Sequence, residues 1–148
     1  KALILLYHRV TISSSDPQLL CVSPEHFAEH MQILQRSYHP ISLTHLQRRL
    51  SYNFWHDRTI VVTFDDGYTD NFHIAKEILE TQDVPSTVFV TSGLINTQQA
   101  FWWDELEKIF LSTPLLPSHP GWLRHRKSHA CSHPSAFFLA GWPLLQYL

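Results

Sequence analysis

The sequence lacks any apolar run long enough to cross a membrane, and no positively charged segment is followed by an apolar leader. We therefore expect no membrane span in this chain. Only 16% of the residues are charged and the net charge is −2, so there is no electrostatic reason to expect binding to nucleic acid. The chain also does not begin with methionine, and we expect it to be a piece of a longer protein.

Cysteine is scarce and histidine is abundant. The two cysteines, Cys21 and Cys131, do not have the close spacing of a metal-binding pair, which leaves two free thiols or a single disulfide as alternatives. Eleven histidines in 148 residues are many, so metal binding and pH sensitivity are both reasonable hypotheses. A chain of this length with 44% hydrophobic residues can bury one core.

Apolar runs and helical periodicities alternate along the chain. The predicted elements are buried strands at 2–6 and 59–64, a strand at 86–91, a short extended piece at 41–43, an irregular loop at 11–22, and helices at 24–37, at 44–50 and from Asp70 to before Val84. We expect Ser23 and Thr44 to cap the first two helices. The side chains expected to face inward are those of Phe27, Met31, Leu34, Leu46, Leu50, Phe72, Ala75, Ile78 and Leu79. This order predicts an α/β fold with parallel strands.

Two adjacent acids, Asp65 and Asp66, follow the apolar run of residues 59–64 and precede Gly67. The carboxyl ends of parallel strands are where ligand-binding and catalytic groups collect. Neighbouring carboxylates repel each other, so one can hold a metal ion while the other acts as a general base. The alternative is that both acids cap the next helix or form a local turn.

At these acids the chain resembles the polysaccharide deacetylases, in particular the branch with a Tyr-His pair at the first strand and a later Trp-Trp-Asp segment. The resemblance extends over about residues 2–111. Its elements, in the family's order, are Leu5-Leu6-Tyr7-His8-Arg9-Val10, Ser23-Pro24-Glu25-His26-Phe27, residues 63–70 (TFDDGYTD), Val84-Pro85-Ser86-Thr87-Val88-Phe89-Val90 and Phe101-Trp102-Trp103-Asp104-Glu105-Leu106.

The resemblance implies an incomplete (β/α) barrel of which this chain holds the N-terminal part. We expect residues 1–111 to belong to that barrel domain and residues 112–148 to form a divergent or truncated, irregular tail. No segment resembles the family's later motifs, which include the one that usually supplies the general acid, and that role has no candidate here.

A set of site residues follows from the same resemblance. It implies Asp65 as the catalytic base and Asp66 as a ligand of a divalent ion, with zinc as the expected metal. The pattern His-x-x-x-His-Pro at His129 and His133 matches the family's other two ligands, although a solvated histidine-rich tail is the alternative.

Four further residues are predicted to line the site, namely His8, Tyr68, Trp102 and Trp103. His8 follows the first strand and could orient groups or bind the metal, or could be a hydrogen-bonded structural residue. The two tryptophans could stack on sugar rings, or they could pack the apolar face of a helix.

The function implied is metal-assisted removal of an acetyl group from an N-acetylated carbohydrate, with an O-acetyl group as the less favoured substrate. A noncatalytic carbohydrate-binding or structural fragment is one alternative. A magnesium-dependent aspartate phosphatase or phosphoreceiver is another, but it would need a further acid or lysine that the sequence does not offer, and it would leave the Tyr-His and Trp-Trp-Asp elements unexplained.

Overall fold

The computed structural model describes residues 1–52 and 57–111, together with the backbone of residues 138–141. The chain divides into two compact units. The first comprises residues 1–91 with the segment that contains 138–141, and the second begins at Ser92 and includes the described residues up to 111. The first unit contains the sheet and the acidic pair, and the second contains the Trp-Trp-Asp segment.

The elements alternate between strand and helix through the first unit. The strands are β1 (Ala2–Tyr7), β2 (Arg9–Val10), β3 (Cys21–Val22), β4 (His39–Pro40), β5 (Thr59–Phe64), β6 (Ser86–Val90) and β7 (Phe138–Gly141). The helices are α1 (Pro24–Ser37), α2 (Leu43–Ser51), α3 (Lys76–Thr81) and α4 (Trp102–Leu111), with a π-helical turn (Asn71–Ala75) leading into α3 and a 3-10 turn (Ser92–Leu94) after β6.

The main sheet is built around β5. Strand β1 pairs in parallel with one side of β5, while β4 and β6 pair in parallel with its other side, β4 at the start of the strand and β6 at the end. Strand β7 pairs antiparallel with β6, within the segment for which we predicted irregular structure. The predicted α/β fold of parallel strands alternating with helices is confirmed, while the proposed domain limits at 1–111 and 112–148 stay predictions.

Strands β5 and β1 differ in burial although both have apolar sequences. Every residue of β5 is buried, as predicted. The prediction that β1 is a buried strand is wrong, because Leu3, Ile4 and Leu6 are each about half exposed. The physical reason is position, since β5 has strands on both sides and β1 ends the sheet path among the described residues.

Helix α1 begins and packs as predicted. The Ser23 side chain accepts a hydrogen bond from the backbone N–H of His26, and Phe27, Met31 and Leu34 are buried. These three side chains belong to the larger hydrophobic cluster, which also contains Val10, Ile60, Val62, Phe64, Ala75, Leu79, Val84 and Val88.

Helix α2 begins earlier than predicted. Ser42 is its cap, with its hydroxyl accepting from the backbone N–H of His45, so the prediction of Thr44 as the cap is wrong. The extended piece accordingly lies at His39–Pro40 instead of 41–43. Leu46 is buried in a second cluster, with Ile41 and Val61. Leu50 is 51% exposed, contrary to prediction, because it lies in the last turn of the helix, one turn beyond that cluster.

The helix after the acids contains an unexpected π turn. Ala75 and Leu79 are buried as predicted, but Phe72 is 56% exposed and Asn71 is buried in its place. The backbone N–H of Lys76 bonds to the Asn71 carbonyl five residues earlier, which shifts the buried face relative to an α-helix.

The predicted loop at 11–22 ends in a short strand, because β3 pairs with β2. The Asp16 carboxylate organises this connection by accepting from the backbone N–H groups of Leu20 and Cys21. Among the residues that the structure describes, no helix combines the length and apolar character needed to cross a membrane.

Candidate active site

The register of β1 and β5 brings the Tyr-His pair to the acids. Tyr7 lies opposite Phe64, the last residue of β5. The backbone N–H of Asp65 then donates to the Tyr7 carbonyl across 3.0 Å. Since the strands are parallel, His8 and Asp65 leave the sheet at the same edge, as the sequence predicted for a site at carboxyl ends.

A tight left-handed turn follows the strand. Asp66 has φ 69° and Gly67 has φ 78°, and the Gly67 N–H donates to the Asp65 carbonyl at 2.9 Å. The Asp66 carbonyl accepts from the N–H of Thr91 at 3.3 Å, which ties the turn to the end of β6. A Cβ at position 67 would lie 3.0 Å from a Val90 methyl group, so the turn requires glycine for both conformation and space.

The structure brings His8 and Asp66 together. The distance from His8 Nε2 to Asp66 Oδ2 is 4.0 Å, and the two side chains are 26% and 21% exposed. Ligands of one divalent ion with bonds near 2 Å have donor atoms roughly 3 to 4 Å apart. An imidazole nitrogen and a carboxylate oxygen at this separation therefore fit two positions around such an ion, after at most a small movement.

The Asp65 carboxylate has no hydrogen-bond partner among the described residues, and the residue is partly exposed. The structure therefore does not support the alternative in which Asp65 caps the next helix. A partly exposed carboxylate beside a candidate metal ligand is suited to accepting a proton from water.

A third acidic group, that of Asp70, lies at the same edge of the sheet and was not identified as a site residue from the sequence. Asp70 Oδ2 accepts from Arg9 Nε at 3.0 Å, and Asp70 Oδ1 accepts from the Val10 backbone N–H at 3.2 Å. The Arg9 guanidinium also lies 4.5 Å above the Tyr68 ring. Burial opposes the charge of Arg9, but the hydrogen bond and charge of Asp70 outweigh it and raise the pKa of Arg9.

Tyr7 links the first strand to α1. Its hydroxyl lies 3.1 Å from His30 Nδ1, and its ring packs against Phe27 and Phe64. Burial raises the pKa of Tyr7, because the phenolate would lose solvation there. Burial and the nearby Asp16 carboxylate likewise raise the pKa of the Cys21 thiol, which is free in the structure.

The remaining predicted site residues belong to the second unit or lie outside the described residues. His129 and His133 lie outside the described residues, as does Cys131. Trp102 and Trp103 are in the second unit at the start of α4, where Trp103 stacks on Phe101 and Trp102 is 66% exposed. Within residues 1–52 and 57–111, no three His, Cys, Asp or Glu side chains converge as a metal cluster.

Comparison with known proteins identifies the family. The family model named Polysaccharide deacetylase matches residues 55–140, more than half of the chain. The chain belongs to the polysaccharide deacetylase family. A curated relative in this family, YxkH of Bacillus subtilis (strain 168), which is assigned by name to the polysaccharide deacetylases, is 25% identical over 118 residues.

Similarity to solved structures of deacetylases supports the fold. The chain is similar to the Streptococcus pyogenes deacetylase PplD, with a TM-score of 0.58 and 26% identity over 71% of this chain. It also resembles in fold a de-N-acetylase from Aggregatibacter actinomycetemcomitans, with a TM-score of 0.60 and 18% identity over 75% of this chain. These deacetylases have a (β/α)-barrel fold, of which the described residues form a part.

The chain spans only part of the length of these relatives. It covers 41% of YxkH, 50% of the PplD chain and 51% of the Aggregatibacter chain. The described part of the polysaccharide deacetylase fold holds the edge of the sheet where Asp65, Asp66 and His8 meet.

Proposed function

We propose that the protein containing this chain is a metal-dependent hydrolase that removes acetyl groups from N-acetylated carbohydrate. The observation that carries the proposal is the approach of His8 to Asp66 across 4.0 Å at the end of β5, beside Asp65, in a chain of the polysaccharide deacetylase family. PplD is described as a deacetylase in complex with acetate, and acetate is the product that such a reaction releases.

The proposed metal ligands are Asp66, His129 and His133, and His8 is available as an orienting group or a further ligand. Carboxylate oxygen and imidazole nitrogen together are a donor set suited to zinc. A bound divalent ion would supply Lewis-acid catalysis for attack on the acetyl carbonyl.

The Asp65 carboxylate is the proposed general base. It takes a proton from the attacking water as the water oxygen bonds to the acetyl carbon. The carbon–nitrogen bond then breaks, acetate leaves, and the sugar amine takes up a proton. None of the residues proposed here is assigned as the donor of that proton.

Membership of the polysaccharide deacetylase family argues against the phosphatase and phosphoreceiver alternatives. The noncatalytic alternative is a fragment that keeps the acids but binds no ion. The fragment and the enzyme differ in one measurable property, which is metal binding. Only the enzyme is expected to bind a metal ion in a way that depends on the Asp66 carboxylate.

Zinc and cobalt titrations of the 148-residue chain test the proposal. We expect Asp66→Asn to abolish binding, since the amide removes the negative charge but still suits a left-handed backbone. Asp83→Asn is the matched control, because Asp83 is also an aspartate with positive φ (51°) and lies outside the proposed site. Equal binding by the wild type and the Asp66→Asn variant would contradict the proposed site.

In the protein that contains the chain, acetate release from an N-acetylglucosamine oligosaccharide should fall to background in the same Asp66→Asn variant. Asp65→Asn should lower the rate while preserving metal binding, because it removes the proposed base and not a ligand.

A further inference from the structure

We propose that Asp70 is a positioning residue that holds His8 beside Asp66 by fixing the backbone on the far side of His8. The inference rests on the proposed function in so far as Asp66 is taken to be a metal ligand. The geometry that carries it is a short segment, residues 7–10, which the structure fixes at both ends.

The first fixed point is on the N-terminal side of His8. The Tyr7 carbonyl accepts a hydrogen bond from the Asp65 N–H, directly at the end of the paired strands. The Tyr7 ring is packed against Phe27, and its hydroxyl is hydrogen-bonded to His30. These contacts set where the backbone leaves β1.

The second fixed point is on the C-terminal side. Both carboxylate oxygens of Asp70 are used, one for the Val10 backbone N–H and one for Arg9 Nε. Val10 is completely buried. Without the Asp70 carboxylate its backbone N–H would lose its hydrogen-bond acceptor at a position that water does not reach easily. Asp70 therefore fixes the two residues that immediately follow His8, together with the pairing of β2 with β3.

The chemistry of Asp70 suits a fixed anchor better than a reactive group. Its side chain is only 9% exposed, whereas that of Asp66 is 21% exposed. A charged hydrogen bond to Arg9 and a bond to a buried amide both favour the ionised carboxylate in one orientation. The Arg9 guanidinium is held in turn by the face of Tyr68, at 4.5 Å.

His8 is the residue between these two fixed points. With its neighbours held, its backbone has little freedom, and its imidazole lies 4.0 Å from the Asp66 carboxylate. Loss of the Asp70 contacts would leave the C-terminal side held only by the pairing of β2 with β3, and this looser hold would let the imidazole leave Asp66. Groups that orient a metal site in this way affect affinity without touching the ion.

The main test uses nitrogen NMR of the histidine rings at a single pH, with no metal present. In the wild-type background, Asp66→Asn should shift the His8 ring resonances, because the two side chains are neighbours. In an Asp70→Ala background the same substitution should no longer shift them. Asp70→Asn, which can still accept from the Val10 N–H, and Arg9→Lys provide milder variants if Asp70→Ala does not fold.

Leu46→Ala is the control for general destabilisation. Leu46 is buried, and it belongs to the second hydrophobic cluster, with Ile41 and Val61, whereas Val10 belongs to the first. The response of His8 to Asp66→Asn should survive in Leu46→Ala. The positioning role is overturned if His8 still responds fully in Asp70→Ala or, should that variant not fold, in both Asp70→Asn and Arg9→Lys. It is also overturned if His8 does not respond in the wild type.

Zinc-binding measurements on the same variants distinguish this inference from the proposed function. If the wild type binds zinc, Asp70→Ala should weaken binding about tenfold, and it should add no further loss to His8→Ala. Failure of the wild type to bind zinc would contradict the proposed function alone, because the ring measurements without metal still decide whether Asp70 positions His8.

Discussion

Asp66 and Asp70 lie four residues apart at one edge of the sheet, and their surroundings differ. Asp66 is in a left-handed turn, 21% exposed, with an imidazole at 4.0 Å. Asp70 is nearly buried and bonds at about 3 Å to both a guanidinium and a backbone amide. Asp70 has the contacts of a structural anchor, and Asp66 has the exposure and strained backbone common at functional sites. Substitution of Asp70 should therefore mainly lower the stability of the fold, and substitution of Asp66 should mainly affect the proposed chemistry.

The largest expected effect on stability is that of Asp70→Ala. The change leaves Arg9 without its carboxylate and the buried Val10 N–H without its acceptor, so the free energy of unfolding should fall by about 3 kcal/mol. Denaturant unfolding measures this. Asp66→Ala is the comparison and should cost less than about 1 kcal/mol, and equal losses in the two variants would contradict the distinction.

The next largest effect is expected at the turn itself. Gly67→Ala places a Cβ 3.0 Å from Val90 Cγ1 and 3.3 Å from the Val90 Cα, at φ 78°. We expect a loss of about 2 kcal/mol in the free energy of unfolding. Gly93→Ala is the matched control, since a Cβ there meets no atom within 4 Å. A stability for Gly67→Ala equal to that of Gly93→Ala would show that the turn is not constrained.

Asp66→Gly should separate stability from metal binding. Glycine relieves the cost of φ 69°, so we expect the free energy of unfolding to rise by up to about 1 kcal/mol while zinc binding is lost. Asp83→Gly, at φ 51°, should give a similar gain with binding unchanged. Loss of stability in Asp66→Gly would mean that the carboxylate is needed by the fold.

The smallest effect concerns alkaline pH. Because burial raises the pKa of Tyr7 above the ordinary value of 10.0, the unfolded chain loses this proton at a lower pH than the folded chain. The stabilising contribution is complete below pH 10 and is lost as the pH rises through the folded pKa.

Tyr7→Phe should therefore make the decline in stability between about pH 8 and about pH 11 less steep. Thermal or denaturant unfolding at both pH values measures the slope. Tyr52→Phe is the control because Tyr52 is 82% exposed, and it should leave the slope unchanged. Identical slopes in the wild type and Tyr7→Phe would contradict a role for Tyr7 burial.

The elements with strong local signals could be predicted from the sequence. The start of α1 has both a serine cap and a proline at its first position, and β5 is a continuous apolar run that ends in acids. In α2 two hydroxyl residues, Ser42 and Thr44, compete as caps, and their side chains in fact contact each other at 2.9 Å. Propensity alone does not choose between them.

The features that could not be predicted depend on contacts between distant parts of the chain. The exposure of β1 is decided by which strands lie beside it, and the Arg9–Asp70 pair joins residues 61 positions apart. The only sequence signal for that pair was an arginine directly after the Tyr-His pair and a third aspartate after the acidic pair. The roles of His129 and His133 as ligands stay predictions.

The π turn at Asn71–Ala75 has a consequence for how this site can change over generations. A π turn amounts to one residue inserted into an α-helix. Deleting one residue there would leave a regular helix but rotate everything before it by about 100° relative to α3. That one deletion would separate Asp70 from Arg9. Homologues that lack the inserted residue should therefore have another group in place of Asp70 to hold Arg9 and the Val10 N–H.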